Sequence, residues 1–514
     1  MQDWMWGVLV LVVYLGLVLY IGYRSFGASD HTLEDHMVGG RNFGVFVLTL
    51  TYAATFHSAY AFTGIVGFAY NDGVGFWINS LYLIPPAFLF WQVGKRLWLL
   101  GKRYNFMTLG DYLSHAYDSR AIGLITALVH TFFTAPYVAI QLTGSGYIFE
   151  TMTNGRVSFA AGAAVMLVVM VVYVIAGGLR AVAWTDTLQG VMMYVVIFAG
   201  GLYVVREEQG SFTNAFERLN EQLPEWFTLP GPAGTITPTY WLTLWIPFTL
   251  GLLLLPQIVT RIFAARSLRV LKWSSLGGAV YLVTIYMFVP GVAAVGLLQP
   301  GAAEPDQIFV DLLWSNLPVV LGAIALSGGF AAAMSTADSQ IHAVSATLAV
   351  DGYQKYIDKS RDPVRTKRFT YATHLALGVA AYIFVITDDK LLIDLLAITL
   401  TGIALLAPAT FGALYWKRGT AAGAITSTLA GLAVLFATTA VWWEKPLWEN
   451  PFDLGVTPGM WSLVAGTLIY IAVSLFTRPT EAMVESQRFT TEYLHRAVAD
   501  KPEETAPSRA AARR

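Results

Sequence analysis

The sequence predicts an all-α protein that crosses a membrane many times. Of its 514 residues, 56% are apolar and only 13% are charged, whereas charged residues make up about 25% of a typical soluble domain. Apolar segments long enough to span a bilayer recur along the whole chain. We therefore expect about 13 transmembrane helices, with ends placed to within a few residues.

The first predicted span lacks the basic start and the small-residue cleavage site of a signal peptide, so we interpret it as a retained helix. An odd number of spans places the two termini on opposite sides of the membrane. The predicted spans are 4–23, 44–70, 75–98, 118–148, 156–177, 183–205, 238–260, 273–299, 312–350, 368–387, 391–414, 420–443 and 459–477.

Lys and Arg residues are distributed unevenly between the two sides of this topology. All but five of the 32 lie on the side that holds the loops near 95–103, 261–272 and 355–368. The other side holds Arg156, Arg206, Arg218, Lys390 and Lys445. Because cytoplasmic loops are enriched in Lys and Arg, we expect an outer N-terminus, a cytoplasmic C-terminus and a plasma-membrane location.

The residue types that catalysis requires are not grouped in this sequence. It contains no cysteine, which excludes disulfides, thiolate metal sites and cysteine nucleophiles. It contains no nucleophile elbow, phosphate-binding loop or metal-ligand spacing. We therefore expect neither an enzyme nor a nucleic-acid partner.

A polar stretch, 335–340, interrupts the apolar ninth span. A carboxylate such as Asp338 near a bilayer centre costs roughly 2.5–3.5 kcal/mol and marks an ion or substrate pathway by default. Ser335, Asp338 and Ser339 share one helix face, so their oxygens can meet at one ion. The alternative is that the hydroxyls bond to carbonyls of the preceding turn and the small residues permit close packing.

The second span contains seven polar residues and two glycines where lipid-facing helices are apolar. This pattern lets a helix unwind locally and present carbonyl oxygens to a cavity. We expect His57 to contribute its backbone rather than its ring. The polar residues are Thr51, Tyr52, Thr55, His57, Ser58, Tyr60 and Thr63, and the glycines are Gly64 and Gly67.

Three further spans carry polar or helix-breaking residues. The fourth contains His130 and Gln141, which indicates an interior helix. The sixth begins near Asp186, which either joins a polar cluster in the membrane or only complements the helix dipole. In the seventh, Pro256 predicts a kink that frees backbone carbonyls for a cavity, or that serves packing alone.

The two interrupted spans divide the chain into one, five, five and two helices. Units of five helices alternate in orientation, so we expect inverted repeats, as in sodium-coupled transporters. We expect the external loop to be a lid or linker and the tail to be partly disordered. The predicted parts are an extra helix and loop at 1–43, repeats at 44–205 and 238–414, an external loop at 206–237, two additional helices at 415–477 and a cytoplasmic tail at 478–514.

Four motifs follow one another along the chain. They are Gly39-Gly-Arg41, GGLRAVAWTD at 177–186, PQIVTR at 256–261 and AAMSTADSQ at 332–340. Together they resemble the sodium:solute symporter family, which includes bacterial pantothenate, monocarboxylate and proline symporters with a LeuT-like fold of inverted repeats. The resemblance implies a sodium site formed by the carbonyl oxygens of Ala54, His57 and Ala332 and the hydroxyls of Ser335 and Thr336.

The resemblance also implies a possible second ion site at Asp186, Asp338 and Ser339. Some members carry a hydroxyl in place of Asp338, so this acid could bind sodium more tightly, hold a proton or be structural. We expect Asp338 to face Asp186, with a cation between the two or a proton on one of them. The residues expected to line the solute path are Ser58, Tyr60, Ala61, Gln141 and Gln257.

The expected function is sodium-coupled import of a small organic solute by alternating access. Phe56 replaces an aspartate of proline symporters, and Ala61 and Leu255 stand at sugar-contacting positions of galactose transporters. We therefore expect an organic acid such as pantothenate or a monocarboxylate, or an amino acid. Sodium is the expected coupling ion, without a cofactor, and the oligomeric state stays open. The alternatives are a proton-coupled symporter of the same fold, a channel, and a transporter-like sensor, for which the tail is short.

Overall fold

The computed structural model describes residues 2–27, 32–75, 83–287, 289–299, 304–387, 392–440 and 454–499. Within these ranges the secondary structure is helical, apart from one parallel bridge between Phe43 and Ala265. The helices are α1 Asp3–Gly27, α2 Leu33–Val38, α3 Val45–Phe56, α4 Ala59–Phe62, α5 Gly64–Asp72, α6 Ile84–Gln92, α7 Gly94–Tyr104, α8 Leu109–Ala116, α9 Arg120–Met152, α10 Phe159–Gln209, α11 Phe212–Gln222, α12 Pro238–Leu254, α13 Pro256–Ala264, α14 Leu268–Thr284, α15 Val289–Leu298, α16 Ile308–Asn316, α17 Val319–Thr347, α18 Pro363–Thr387, α19 Leu392–Ala404, α20 Ala407–Tyr415, α21 Ala421–Ala440, α22 Pro458–Phe476 and α23 Glu481–Ala499.

Nine helical segments of the described chain are long and apolar enough to cross a membrane, and the bent pair α12 and α13 makes a tenth. The predicted count of 13 is therefore not reached by helix length alone. The three predicted spans without such a helix are the second, the third and the fifth. Each of them is built from shorter pieces, namely α3 to α5, α6 with α7, and the part of α10 before residue 178.

The backbone breaks that the sequence predicts are present. α3 ends at Phe56, and His57 and Ser58 leave the helical conformation before α4 begins. α12 and α13 meet at an angle of 47°, because Pro256 has no N–H to continue the helical ladder. Gly178, with φ of 57°, divides α10 into the predicted fifth and sixth spans.

One predicted span differs from the structure, and part of the predicted tail is helical. The ninth span does not begin at residue 312, because Pro318 separates α16 from α17; the span continues as a π-helix, Leu348–Ile357. The expected disorder of the tail does not extend to α23, which packs on the bundle. There Arg103 pairs with Glu485 at 2.8 Å, and Gln487 Nε2 donates to Ala413 O at 2.9 Å.

The connections between helices gather at two ends of the bundle. The basic end holds α2, α7, α8, the π-helix and α23. The opposite end holds α11, α16 and the 3₁₀ turns Pro224–Phe227 and Pro305–Gln307. The predicted loop 206–237 is thus partly helical. Lys390 and Lys445, which the predicted topology places at the opposite end, lie outside the described residues.

α17 lies at the centre of the bundle. It packs against α1, α3, α4, α9, α10, α13, α16 and α18, and every residue from Ala325 to Thr347 is buried. The polar stretch 335–340 therefore lies inside the protein and not against lipid, which is where polar groups at membrane depth are tolerated.

Candidate ion and solute site

The break at His57 and Ser58 releases backbone carbonyls from helical hydrogen bonding. In a continuous helix each carbonyl accepts from the N–H group four residues later. Ser58 instead donates to Phe56 O at 3.2 Å. Ala59 donates to the side-chain Oε1 of Gln141 at 2.8 Å. The carbonyls of residues 54 and 55 are thereby left without their helical partners.

Two hydroxyls of α17 face these carbonyls. Ser335 Oγ lies 3.1 Å from Ala54 O and 3.1 Å from Ala332 O. Thr336 Oγ1 lies 3.4 Å from Ala54 O and 3.5 Å from His57 O. The five groups that the resemblance assigns to a sodium site thus come together, and we call them the five-oxygen cluster.

The five-oxygen cluster has the chemistry of a site for a hard monovalent cation. Its members are carbonyl and hydroxyl oxygens of buried residues, and hard cations take oxygen ligands. None of them carries a charge that would favour a divalent ion. Thr55 O, which the sequence analysis does not single out, lies 3.5 Å from Thr336 Oγ1 and adds a sixth oxygen.

The ring of His57 has a packing role. Its Nδ1 lies 3.0 Å from Ala53 O. The ring stacks on Tyr286 with a centroid distance of 5.1 Å and meets Tyr281 edge-on at 5.0 Å. These contacts agree with the expectation that His57 offers its carbonyl, and not its ring, to an ion.

One helix, α9, holds both broken segments. Besides accepting from Ala59, Gln141 donates its Nε2 to Tyr137 O at 2.9 Å, so both ends of its amide are engaged. Eleven residues earlier, His130 Nε2 lies 3.0 Å from Leu254 O, the last carbonyl of α12 before the second break. The polar side chains of this interior helix satisfy backbone groups that the breaks expose.

The residues expected to line the solute path differ in what they can still bind. Ser58, Tyr60 and Ala61 are at most 3% exposed, so this conformation is closed around them. The Gln141 amide is engaged by the backbone, as described above. Gln257 is fully buried, and neither atom of its amide has a hydrogen-bond partner in the described part of the chain. Because an unpaired buried amide is costly, Gln257 is the best placed of the five to bind a polar solute.

Asp186 is paired with a residue that the predicted topology assigns to a cytoplasmic loop. Arg261 lies on α13 with its side chain fully buried, and its Nη2 donates to Asp186 Oδ2 at 2.8 Å. The same Nη2 donates to Ser339 Oγ at 2.6 Å. Thr51 Oγ1 donates to Asp186 Oδ2 at 2.5 Å. Arg261 therefore balances the charge of Asp186, which corrects the expectation that only a bound cation or a proton could do so.

Asp338 lacks an equivalent partner. It is fully buried, and neither of its carboxylate oxygens accepts a hydrogen bond from a described residue. Ser339, expected beside it in a second ion site, accepts from Arg261 instead. A buried carboxylate without a hydrogen-bond donor is costly unless it binds a cation or carries a proton. Asp338 is thus the acid of this region that a mobile ion could still neutralise.

Arg261 and Thr51 are the residues of this region whose roles sequence reasoning misses. Arg261 follows directly on the predicted end of the seventh span and closes the PQIVTR motif. It lies one helical turn after Gln257, whose carbonyl accepts from Arg261 Nη1 at 3.0 Å. A search for a basic partner of Asp186 among the residues that flank the spans would have found it.

Sequence comparison relates this chain to known transporters. The profile of the sodium:solute symporter family matches residues 36–431. A sodium/pantothenate symporter of Escherichia coli (strain K12) is 28% identical over 478 residues, which cover 91% of this chain and 95% of the relative. A sodium/proline symporter of Haemophilus influenzae is 26% identical over 501 residues, which cover 92% of this chain and 95% of the relative.

Two solved structures share the fold. A Na⁺-coupled sialic acid symporter in a substrate-bound outward-open state gives a TM-score of 0.76 at 17% identity and covers 92% of this chain and 98% of its own. A nucleobase-cation-symport-1 family transporter in a closed conformation gives a TM-score of 0.58 at 12% identity and covers 88% of this chain and 98% of its own. These matches confirm the predicted transporter fold.

Proposed function

Because the chain belongs to the sodium:solute symporter family, a family of membrane transporters and not of enzymes, we propose that it imports a small organic solute together with a sodium ion bound at the five-oxygen cluster. One observation carries the position of this ion. The Ala54 carbonyl, released by the break in the second span, lies within 3.4 Å of the hydroxyls of both Ser335 and Thr336.

An ion at this cluster links two parts of the chain that move in alternating access. α3 belongs to the first predicted repeat and α17 to the second, so sodium favours the conformations in which the two helices are close. The membrane potential adds about 2.3 kcal/mol per charge per 100 mV to the driving force. Loss of the ion to a cytoplasm poor in sodium frees the two helices to separate and the solute to leave.

We propose an organic acid or an amino acid as the solute. The relatives named above are symporters of pantothenate and of proline. Gln257 supplies a buried amide without hydrogen-bond partners among the described residues, in the first turn of α13 beside the break at Pro256. The basic end faces the cytoplasm in this proposal, with the N-terminus outside and the C-terminus inside the plasma membrane.

A proton is the second candidate for the coupling ion, and Asp338 favours it. The charge of Asp186 is balanced by Arg261, whereas both oxygens of Asp338 lack hydrogen-bond partners among the described residues. A buried acid in such surroundings is a site for proton uptake and release. Both ions can act in one cycle, since Asp338 is not a member of the five-oxygen cluster.

Uptake by proteoliposomes tests the proposal. Purified protein is reconstituted, and radiolabelled organic acids and amino acids are offered under an inward gradient of sodium, of lithium or of protons. We expect one group of solutes to accumulate with the sodium gradient and not with potassium in its place. Accumulation driven by protons alone would make the proton the coupling ion, and Asp338→Asn would then test whether Asp338 carries it. Flow of ions without any solute would identify a channel and overturn the proposal.

A further inference from the structure

A cavity of about 440 Å³ lies at the opposite end of the bundle, away from the five-oxygen cluster. Its walls come from α5, from the segment after α11 and from the helices α12, α15 and α19. Its volume falls within the range of small-molecule sites, which is roughly 300–1,000 Å³. α5 continues the broken second span, so Gly64, in the cavity wall, lies seven residues after His57, or roughly 10 Å along a helix.

The charged residues that line this cavity are acids. Asp72 and Asp306 are both in its wall, and no Lys or Arg is among the described lining residues. Asp72 accepts a hydrogen bond from the Thr235 hydroxyl. Burial, with Glu304 as a lesser cause, raises the pKa of Asp306 to about 6, so this carboxyl is mostly ionised at pH 7. The cavity therefore carries negative charge that no described lining residue balances.

Asp306 presents one free oxygen to the cavity. The residue is 7% exposed, and its Oδ2 accepts from the Leu392 N–H at 3.1 Å. Its Oδ1 has no hydrogen-bond partner among the described residues and packs against Gly67, where a Cβ would come within 2.9 Å of it. A nearly buried carboxylate with a free oxygen needs a donor or a cation. Here the cavity is the place from which such a partner can come.

The remaining wall suits the apolar body of an organic cation. Phe68, Tyr70 and Tyr240 line the cavity with Ile236 and Ile393. Aromatic faces attract ammonium groups by about 0.5–1 kcal/mol at exposed sites and about 2 kcal/mol or more where water is excluded. A simple carboxylate would meet Asp72 and Asp306 with the same sign of charge. An ammonium group would meet two carboxylates and three aromatic rings.

We propose that this cavity is an outer binding site for solutes that carry an ammonium group, such as an amino acid, a betaine or a choline-like cation. The proposal adds to the solute class given above the requirement of an ammonium group and extends that class to choline-like cations; it rests on the proposed function for the direction of transport. A solute held here lies on the outer half of the interrupted span, before it reaches Gln257 and the five-oxygen cluster. Organic acids without an ammonium group are disfavoured at this site.

Binding of choline to the full-length purified protein tests the proposal without transport. Choline is compared with 3,3-dimethylbutan-1-ol, which has the same shape and no charge, at pH 7.5 and constant ionic strength set with potassium. We expect choline to raise the midpoint of thermal unfolding in a saturable manner, and the uncharged alcohol to bind at least tenfold more weakly. Equal effects of the two compounds, or no effect of either, would overturn the proposal.

Two variants locate the binding site. Asp306→Asn is expected to weaken choline binding at least tenfold while leaving the weak effect of the alcohol unchanged. Asp311→Asn is the matched control, because Asp311 also lies at the opposite end, accepts from Thr151 at 3.0 Å and is not in the cavity wall. Choline binding that survives Asp306→Asn would place the site elsewhere.

A unique cysteine gives a readout that does not depend on Asp306→Asn folding. The chain has no cysteine, so Ala233→Cys in the cavity wall creates a single thiol. Choline is expected to slow its alkylation by a maleimide, and the alcohol is not. A thiol that choline leaves unprotected contradicts the proposal. Ser335→Ala should retain choline protection, so failure of the sodium site and failure of the cavity are told apart.

Discussion

Arg261 Nη2 lies 2.8 Å from Asp186 Oδ2 at a point where both side chains are fully buried. The two residues come from α13 and α10, and the same guanidinium nitrogen also donates to Ser339 on α17. Arg261 Nε donates to Thr51 O on α3 at 3.1 Å, so four helices of the bundle are joined by one charged group. A buried ion pair of this kind adds little stability compared with an apolar pair of similar size. Removal of only one of its two residues is strongly destabilising, because the other charge is left buried and unpaired.

The first prediction concerns this pair. Arg261→Gln leaves a buried carboxylate and Asp186→Asn leaves a buried guanidinium, so each single change is expected to destabilise the protein by about 3–5 kcal/mol. The double change should cost less than the sum of the two, and thermal unfolding in detergent measures all three variants. Additive losses in the double variant would show that the two side chains do not depend on each other.

The second prediction concerns the five-oxygen cluster. Ser335→Ala and Thr336→Ala each remove one of about five ligands, and a loss of about 1.4 kcal/mol is a factor of ten in affinity. Each is expected to raise the sodium concentration for half-maximal uptake roughly tenfold. Ser327→Ala is the control, since Ser327 is buried on the same helix and bonds only to Ala323 O, at 2.8 Å, among the described residues. Unchanged sodium dependence in both ligand variants removes the proposed site.

The third prediction separates the roles of Asp338. We expect Asp338→Asn to abolish the pH dependence of uptake between pH 5.5 and 8 and to change half-maximal sodium less than twofold, because an amide cannot carry the proton. A roughly tenfold loss of sodium affinity with an unchanged pH profile would instead place a sodium ion at Asp338. Wild-type behaviour in both measurements would show a structural residue.

The fourth prediction uses two groups outside the spans whose pKa values shift in opposite directions. Burial, with a smaller contribution from Lys367, lowers the pKa of His36 to about 4, and burial raises that of Asp306 to about 6. Between pH 6.5 and 4 the unfolded chain binds a proton at His36 that the folded chain does not, so stability falls with falling pH. At Asp306 the folded chain binds a proton between pH 4 and 6 that the unfolded chain does not. The stability that Asp306 contributes at acid pH is therefore lost as the pH rises from 4 through 6.

Thermal unfolding of two variants between pH 4.5 and 8 resolves these contributions, which are at most about 3–3.5 kcal/mol each. His36→Gln is expected to reduce the loss of stability toward acid. In the wild type, Asp306 adds stability as the pH falls and so opposes the loss at His36. Asp306→Asn is expected to remove this gain, so the stability of the variant falls more steeply toward acid than that of the wild type. The same pH profile in all three proteins would contradict both assignments.

The fifth prediction concerns orientation. Single cysteines at Thr213→Cys on α11 and Ser360→Cys after the π-helix lie at exposed positions on the opposite end and the basic end. A membrane-impermeant maleimide applied to intact cells is expected to label the first and not the second. The reverse pattern would place the basic end outside and overturn the proposed direction of import.

The sequence predicts the parts of the site that are written in local patterns. The hydroxyls of Ser335 and Thr336 stand out in an apolar span, and glycines and polar residues mark the break at His57. Arg261 is different, because its partner Asp186 is 75 residues away in the chain. A pairing of that kind depends on how helices pack, which composition and spacing do not specify.

Boundaries and end segments show the same limit. α16 and α17 read as one apolar run, although Pro318, which separates them in the structure, is a helix-breaking residue already present in the sequence. α23 is charged enough to read as solvated tail, yet it is held by contacts to α7, α8 and α20. The acidic cavity has no signal in the sequence, since Asp72 and Asp306 belong to distant segments.

The contacts of α9 with the two breaks set a fixed distance within the transporter. His130 and Gln141 are eleven residues apart, close to three full turns, so they share a face and sit about 16 Å apart along the axis. Insertion of a single residue between them would turn one by about 100° away from the other. One break would then lose its partner while the other kept it. The number of residues between His130 and Gln141 thus decides whether α9 can supply a partner to both broken helices at once. Neither residue need touch the ion or the solute to do this.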